Sequence, residues 1–358
     1  MPTSWEDYIK GPSNQAAIQS YRALSEGAFR PLRRVLANVV KTCEPSSIAC
    51  LGAGVLNDIP FDELVLSGAA IHLVDLIPGI VDRGIGQSVL IDRNADDADI
   101  DNQGTDDACV FCALGAARAA KWCKRFNGAG RPDSSRICGG FTPVGGNAKG
   151  CLSYERAELP NVLYQDVTGG YATAFGHAAL NATEKAISWK QAFGIATAAA
   201  KQLRNRRERL DIADGSIDLV TSSMLLSQFE HEPYDYFSRQ VAARLGPPSA
   251  REENRLHRTL EKLKNDLLLN QIAAHCEEVA RILAPDGRFF VAFELFHYDP
   301  ARDAWFMVPE MHAALGRLAH HFNFDFAALP PADSIVTFKL GEASSVVQNF
   351  LMRHKHAA

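Results

Sequence analysis

The stretch that decides the fold is IACLGAGVLNDIPFDEL, residues Ile48 to Leu64, together with IHLVDL at Ile71 to Leu76. The first apolar run ends in Gly52-Ala53-Gly54, and the second ends in Asp75. Glycines after a buried strand let the polar groups of a ligand approach the backbone beside the positive end of the next helix. An acid on the neighbouring strand accepts ribose hydroxyls, and such an acid stands roughly 20 residues after the glycines. The pair indicates either a nucleotide-type site or a glycine turn with a helix-capping acid.

Short apolar runs bounded by Gly, Asp and Pro recur along the chain and alternate with helical patterns. Each run is β-branched or aromatic and nearly unbroken, as expected of a strand covered on both faces. This alternation predicts an α/β fold, a doubly wound, mostly parallel, Rossmann-like sheet with helices on both faces. The predicted strands are Ser47–Leu51, Ala70–Val74, Asn161–Gln165, Ser216–Ser222 and Gly287–Phe293, and the predicted helices include 14–42, Glu184–Leu210 and Glu253–Leu283.

The 358 residues are interpreted as one elaborated domain. Two segments are longer than a simple connection requires. In the N-terminal segment, Trp5 and Tyr8 belong either to a lid over the site or to a helix packed on the sheet edge. The predicted organisation is an N-terminal helical segment or lid at 1–44 and an α/β domain at 45–358, with a Cys-containing insertion at 92–158 and an excursion at 230–256.

The overall charge and the N-terminal sequence limit the partners and the compartment. A net charge of −5 implies no strongly basic face, so nucleic acid is not an expected partner. The N-terminus lacks the layout of a signal peptide, and no apolar run is long enough to span a membrane. We therefore expect a soluble, cytoplasmic protein that acts on a small molecule, with its oligomeric state open.

Three later segments extend the pattern of the glycine strand. LPNVLYQDVTGG places Asp166 at a strand end, and DGSIDLVTSSMLLSQF is a turn and a strand with a polar exit at Ser222-Ser223. VARILAPDGRFFVAFELF, Val279 to Phe296, is a helix that closes on Pro-Asp-Gly and continues as a strand. In order and chemistry, residues 45–300 resemble the class I S-adenosylmethionine-dependent methyltransferases.

This resemblance implies a role for each matching residue. Gly52 and Gly54 would lie against the methionine part of S-adenosyl-L-methionine, Asp75 would hold the ribose, Asp166 would bind the adenine amino group, and Ser222 and Ser223 would flank the methyl donor. The chain departs from the family at Cys50, where an acid usually stands. Asp58 would then contact the ammonium of the cofactor, unless Asn57 and Asp58 are simple helix caps.

The candidate catalytic residues follow the fourth predicted strand. Methyl transfer is an in-line displacement that requires alignment and exclusion of water, and a general base is needed only when the acceptor has a proton to lose. In SQFEHEPYDYF the candidates are Glu230, His231 and Glu232, and His231 is the preferred base because its ordinary pKa is near neutrality. The alternative is a solvated acidic loop. Tyr234, Tyr236 and Phe237 line an acceptor pocket or belong to the core.

The insertion carries a C-x-x-C pair, Cys109 and Cys112, followed by three more cysteines. Such a pair places two thiolates within reach of one metal ion, and two more distant cysteines complete a four-thiolate shell. The predicted ligands of zinc or an iron–sulfur cluster are Cys109, Cys112, Cys123 and Cys138, with Cys151 in reserve. Unligated thiols in an irregular loop are the alternative.

Two other functions compete with a methyltransferase. The first is an oxidoreductase that binds a dinucleotide at the same corner, although Asn57 occupies the third glycine of the G-x-G-x-x-G pattern. The second is a catalytically silent methyltransferase-like protein that acts by binding, which the missing acid at Cys50 favours.

Overall fold

The computed structural model describes residues 4–11, 28–54, 56–77, 162–167, 170–204, 206, 208–229, 231–308, 310–340 and 342–355. The helices of these residues are α1 (Trp5–Lys10), α2 (Arg30–Cys43), α3 (Phe61–Ser67), α4 (Gly170–Lys185), α5 (Trp189–Gln202), α6 (His231–Leu245), α7 (Ala250–Ile282), α8 (Glu310–His321) and α9 (Pro331–Ser334). The strands are β1 (Ser47–Leu51), β2 (Ala70–Asp75), β3 (Val162–Asp166), β4 (Ile217–Ser223), β5 (Leu283–Asp299), β6 (Ala304–Met307), β7 (Phe322–Phe324), β8 (Ile335–Leu340) and β9 (Ala343–His354).

The strands form a single sheet in the order β3-β2-β1-β4-β5-β9-β7, with β6 beside β5 and β8 beside β9. Strands β1 to β5 pair in parallel, whereas β9 runs antiparallel to β5. The predicted doubly wound, Rossmann-like sheet is confirmed. The chain moves outward from β1 to β3 and then returns to β4 on the other side of β1. In such sheets the crevice at this reversal, outside the carboxyl ends of the strands, is where ligands bind.

The two faces of the sheet are covered by different helices, as the unbroken apolar strands predict. Ile48 and Cys50 of β1 belong to a core shared with α2 and α3. Ala49 and Leu51 belong to a second core shared with α7 and α8. Because successive side chains of a strand point to opposite faces, this alternation also separates the polar residues at the strand ends.

A third core joins α1 to α4, α5, α6 and the first half of α7. Trp5 donates to Thr173 Oγ1 over 2.8 Å, and its ring meets Tyr236 with centroids 5.4 Å apart. Tyr8 donates to Asp235 Oδ2 over 2.7 Å. Tyr236 and Phe237 are fully buried here, so of the two alternatives they belong to the core. The role of residues 1–44 as a lid stays a prediction.

The five predicted strands agree with β1 to β5 within a residue at most ends, but one helical prediction needs correction. Glu184–Leu210 is not one helix, because α5 begins anew after Ser188, whose hydroxyl accepts from Gln191 N. The excursion at 230–256 is α6 followed by the start of α7, which Ser249 and Glu252 open with a capping box. Of the helix predicted at 14–42, the described part is α2.

The C-terminal strands β6 to β9 were not predicted from the sequence. The strand β9 pairs with β5, β7 and β8 in antiparallel register and completes the far side of the sheet.

Among the described residues, no helix combines the length and the apolar character needed to cross a bilayer.

Candidate functional site

A cavity of about 720 Å³ lies at the carboxyl ends of β1, β2 and β4. Its volume is within the range of about 300–1,000 Å³ that is usual for small-molecule sites. Seven of the candidate site residues predicted from the sequence line it: Gly52, Gly54, Asp58, Asp75, Ser223, His231 and Glu232. Ser222 is buried on the other face of β4. The side chain of Asp166 and all of Glu230 lie outside the described part of the chain.

The glycine turn after β1 has two differently placed glycines. Both have left-handed backbone, with φ of 71° at Gly52 and 53° at Gly54, a region that disfavours residues with a Cβ. A Cβ on Gly52 would lie 2.6 Å from Leu225 Cδ1, whereas one on Gly54 would meet only Gly52 O, at 3.9 Å. Gly54 therefore presents open backbone to the cavity, and Gly52 packs under Leu225.

Asp75 fixes this turn to the neighbouring strand. Its Oδ2 accepts from Gly54 N over 2.7 Å, and its Oδ1 accepts from Ile77 N over 2.8 Å. The residue is only 9% exposed, and these amides stabilise its carboxylate. Each carboxylate oxygen can accept more than one hydrogen bond, so Asp75 can hold the loop and a ligand together. Asp166 is its partner in the β2–β3 register.

Asp58 places a second carboxyl group in the cavity wall. Burial raises its pKa to about 6, an effect that Ser223, a backbone amide and Arg33 partly offset. Cys50 lies behind it and is fully buried, which raises the pKa of its thiol to about 12. The helix α3 begins after Pro60, so neither Asn57 nor Asp58 is its N-cap. The helix-cap interpretation of these two residues is wrong.

The two serines at the end of β4 point to opposite faces of the sheet. Ser222 Oγ lies 2.8 Å from His275 Nε2, in a hydrogen bond whose donor depends on the tautomer. Ser223 is 6% exposed, and its hydroxyl stabilises the ionised form of Asp58. No described group, however, meets ordinary hydrogen-bond geometry at Ser223 Oγ. The next residue, Met224, has a φ of 53°, a strained conformation for a residue with a side chain.

The helix α7 forms the opposite wall of the cavity with Gln271, Ala274, His275 and Glu278. Burial lowers the pKa of His275 to about 4, so its ring is neutral at physiological pH. Its ring meets Phe229 with centroids 5.4 Å apart. Sequence reasoning missed His275, although its position between Ile272 and Val279 on the apolar face of α7 was a signal in the helical periodicity.

A hydrogen-bond network holds this wall in place. Glu278 Oε1 accepts from Leu210 N over 2.7 Å and forms an ion pair with Arg281. Arg281 also pairs with Asp214 and donates to the carbonyls of Leu210 and Ile212. The charge of Glu278 is therefore neutralised within the protein, and the segment before β4 is tied to α7.

The first turn of α6 forms the rim of the cavity. His231 is exposed at the first position of this helix, and Glu232 and Pro233 follow it in the lining. The Oε2 atom of Glu232 is buried without a described hydrogen-bond partner. Glu232 also acts on Tyr8 of α1: burial and the carboxylates of Asp235 and Glu232 raise the pKa of Tyr8 well above its usual range. The rim is therefore acidic.

Among the described residues that line the cavity, the carboxyl groups are not accompanied by any Lys or Arg. The described lining residues with an acidic side chain are Asp58, Asp75, Glu208, Glu232, Glu278 and Glu294, and none of the described lining residues is Lys or Arg. A cleft lined by one sign of charge concentrates ligands of the opposite sign. The cavity therefore favours a cationic ligand over an anionic one.

The predicted metal ligands Cys109, Cys112, Cys123 and Cys138 lie outside the described residues. Within the part of the chain that the structure describes, no cluster of three or more His, Cys, Asp or Glu side chains is arranged to hold a metal ion. Two of the other cysteines, Cys50 and Cys276, are buried thiols, and Cys43 is partly buried.

No protein-family model matches this sequence, and no curated protein is detectably similar to it. The chain is distantly similar to a TehB-like SAM-dependent methyltransferase from Corynebacterium glutamicum, with 10% identity, 96% of this chain and 100% of that chain covered, and a TM-score of 0.37. It is similar to a SAM-dependent methyltransferase from Aquifex aeolicus, with 8% identity, 93% and 97% covered, and a TM-score of 0.34. It is also similar to human N-acetylserotonin methyltransferase in complex with SAM, with 10% identity, 94% of this chain and 55% of that chain covered, and a TM-score of 0.34. These similarities are too low to assign a function, so the function proposed below rests on the geometry and charge of the cavity.

Proposed function

We propose that the protein is an S-adenosylmethionine-dependent methyltransferase that acts on a small molecule. The observation that carries the proposal is an open glycine, Gly54, between two carboxyl groups, Asp58 and Asp75, in a cavity whose described lining has no Lys or Arg. S-Adenosylmethionine carries a sulfonium and an ammonium, and both cations suit such a lining. The cavity also lies where doubly wound sheets bind nucleotides.

Each residue has a distinct task in this proposal. Asp75 accepts the ribose hydroxyls while it also accepts from the backbone amides of Gly54 and Ile77, because each carboxylate oxygen can accept more than one hydrogen bond. Asp58 binds the ammonium from the position next to Cys50, where the family usually has an acid. Gly54 allows the methionine part to lie against the backbone, with Gly52 supporting the turn, and Asp166 binds the adenine amino group.

The remaining residues align the acceptor and exclude water. When bound, S-adenosylmethionine would supply an electrophilic methyl group on its sulfur: the acceptor's lone pair would form the new bond to the methyl carbon while the C–S bond breaks and its electron pair stays on sulfur. Ser223 flanks this point, and Met224 and Leu225 add apolar walls, whereas Ser222 faces away from the cavity and bonds His275. His231 at the rim accepts the proton of an acceptor that has one to lose, with Glu230 as its neighbour.

The competing dinucleotide function is less well supported by the same geometry. A dinucleotide carries an anionic pyrophosphate, which Asp58 and Asp75 would repel. The helix that should cradle it is also displaced, because α3 begins at Phe61, seven residues after Gly54, and has only seven residues. A silent, binding-only protein loses its main support, since Asp58 puts a carboxyl group beside Cys50.

Isothermal titration with S-adenosylmethionine, S-adenosylhomocysteine, NAD and NADP tests the proposal. We expect saturable binding of the first two and none of the dinucleotides. Transfer of a radiolabelled methyl group to small molecules of a cell extract, suppressed by excess S-adenosylhomocysteine, would then establish catalysis. Dinucleotide binding without any response to S-adenosylhomocysteine would refute the assignment.

A metal site in the insertion is a separate proposal. Zinc or an iron–sulfur cluster bound by Cys109, Cys112, Cys123 and Cys138 would order a segment with little apolar material. Metal analysis and an absorption spectrum of anaerobically purified protein test this. Freely titratable thiols with substoichiometric zinc and iron would exclude it.

A further inference from the structure

We infer that the methyl acceptor carries a positively charged amine, which Glu294 of β5 and Ser223, the last residue of β4, bind. This inference rests on the proposed methyltransferase function and names the chemical class of its second substrate. It follows from the surroundings of these two lining residues, which lie on neighbouring strands.

The acidic residues of the cavity differ in what already compensates their charge. The carboxylate of Asp75 accepts two backbone amides, and Glu278 is paired with Arg281. Asp58 has Arg33 nearby and is the proposed partner of the cofactor's ammonium. Glu232, at the rim, interacts with Tyr8. Glu294, in contrast, makes no hydrogen bond or ion pair with any residue in the described ranges, although it lines the cavity. A partly buried carboxylate without a partner is costly, and a cationic ligand would remove that cost.

Ser223 provides a second indication of a ligand on this side. It is more than nine-tenths buried and lines the cavity, and its hydroxyl stabilises the ionised form of Asp58 without meeting ordinary hydrogen-bond geometry with any described group. In the β4–β5 register Ser223 is opposite Ala292, and Glu294 is two residues further along β5. Because residues two apart share a face of a strand, Glu294 and Ser223 project from neighbouring strands on the same face.

The charge balance distinguishes an amine from other acceptors. At neutral pH S-adenosylmethionine has one net positive charge, from a sulfonium, an ammonium and a carboxylate, which leaves the acidic lining in excess. An anionic acceptor would be repelled, and a neutral one would leave Glu294 uncompensated. The rings of Phe29, Tyr171 and Phe229 also line the cavity and can receive a cation on their faces.

Titration calorimetry with matched compounds tests the inference. Tyramine is compared with 4-(2-hydroxyethyl)phenol, and cadaverine with 1,5-pentanediol, so that each pair differs in charge but hardly in shape. Each compound is titrated at low ionic strength into the protein with and without S-adenosylhomocysteine. We expect the cationic member of at least one pair to bind about tenfold or more tightly than its neutral partner.

Variants then assign the preference to the residues. Glu294→Gln should lower the cationic preference about tenfold, and Ser223→Ala should lower amine affinity several-fold. Glu277→Gln, an exposed acid of α7 that does not line the cavity, is the matched control and should change neither. Equal binding within both pairs, no binding of the amines, or an unchanged preference in a folded Glu294→Gln protein would overturn the inference. Since S-adenosylhomocysteine affinity is measured separately, loss of the amine preference is distinguishable from failure of the cofactor assignment.

Discussion

At each end of the parallel sheet an aspartate accepts hydrogen bonds from two backbone amides, but the cavity lies at only one of the two ends. At the amino end Asp218 accepts from Ser46 N and Ser47 N over 2.8 and 3.1 Å. At the carboxyl end Asp75 accepts from Gly54 N and Ile77 N over 2.7 and 2.8 Å. Each carboxylate ties a loop to a neighbouring strand. An aspartate that binds two backbone amides is therefore not in itself a sign of a ligand site.

The two ends differ in what surrounds the carboxylate. Near Asp218 the polar groups satisfy one another, because Ser47 Oγ donates to Ser216 O and Asp218 N donates to Ser47 Oγ. Near Asp75 the sheet order reverses between β1 and β4, and a cavity opens with Ser223 Oγ in its wall, which meets ordinary hydrogen-bond geometry with no described group. The incomplete pairing of polar groups, and not the aspartate, distinguishes the end of the sheet that holds the candidate site.

The largest expected effect separates these two aspartates. Asp75→Ala should lower the free energy of unfolding by roughly 2–4 kcal/mol, because two charge-assisted hydrogen bonds are lost. It should also weaken S-adenosylhomocysteine binding by about 1.5–3 kcal/mol, if the carboxylate also holds the ribose. Urea denaturation and isothermal titration measure the two quantities.

Asp218→Ala is the matched control, since it removes the same kind of double hydrogen bond at the other end of the sheet. We expect a comparable loss of stability and unchanged S-adenosylhomocysteine affinity. If both variants retain the affinity of the natural protein, the ribose is not held by Asp75. If both lose it equally, the effect of Asp75 is only structural.

A smaller effect is expected from adding one methyl group at a glycine. Gly54→Ala places a Cβ in the open space of the cavity, and should reduce S-adenosylhomocysteine affinity about tenfold, or about 1.4 kcal/mol. Because the backbone is left-handed there, it should also cost roughly 1–2 kcal/mol of stability.

Gly215→Ala controls for the backbone strain alone. Gly215 has a φ of 62° and no atom within 4 Å of its added Cβ, but it does not line the cavity. We expect a similar loss of stability with no change in affinity. Equal affinities for both variants would mean that the turn at Gly54 only reverses the chain. Gly52 is a poorer probe, since its Cβ would meet Leu225 and not a ligand.

The smallest expected effects depend on pH. The folded-state pKa of Asp58, about 6, lies above its ordinary value of 3.8, so the native state binds more protons between these values. Asp58 therefore lowers stability as pH rises from about 4 to 6. Asp58→Asn should raise the melting temperature at pH 7 relative to the natural protein and leave it almost unchanged near pH 3.5. A pH series of thermal melts measures this.

Binding should show the opposite trend. If ionised Asp58 holds the ammonium of the cofactor, affinity for S-adenosylhomocysteine should increase several-fold as pH rises through about 6. In Asp58→Asn the increase should be absent and the affinity at pH 7 lower. A pH dependence that persists in this variant would assign the titration to another group of the cavity.

Local patterns in the sequence were sufficient for the parallel half of the fold and for part of the site. Apolar runs predicted β1 to β5 because a strand covered on both faces must be apolar throughout. Gly54 and Asp75 were recognised because both requirements are local: a left-handed turn needs glycine, and an acid at the end of the next strand reaches that turn.

Only the tertiary structure decided which other side chains meet at the cavity. His275 reaches Ser222 from 53 residues away, and Glu294 on β5 lines the same cavity as Asp58, which lies in the loop after β1. The antiparallel strand β9 also pairs with β5 from a distant part of the chain. The sequence pattern shows which face of a helix or strand is apolar, but not which elements pack together. Sheet order and helix packing decide which distant residues come together. Separation along the chain does not, because the entropic cost of closing a loop depends only weakly on its length.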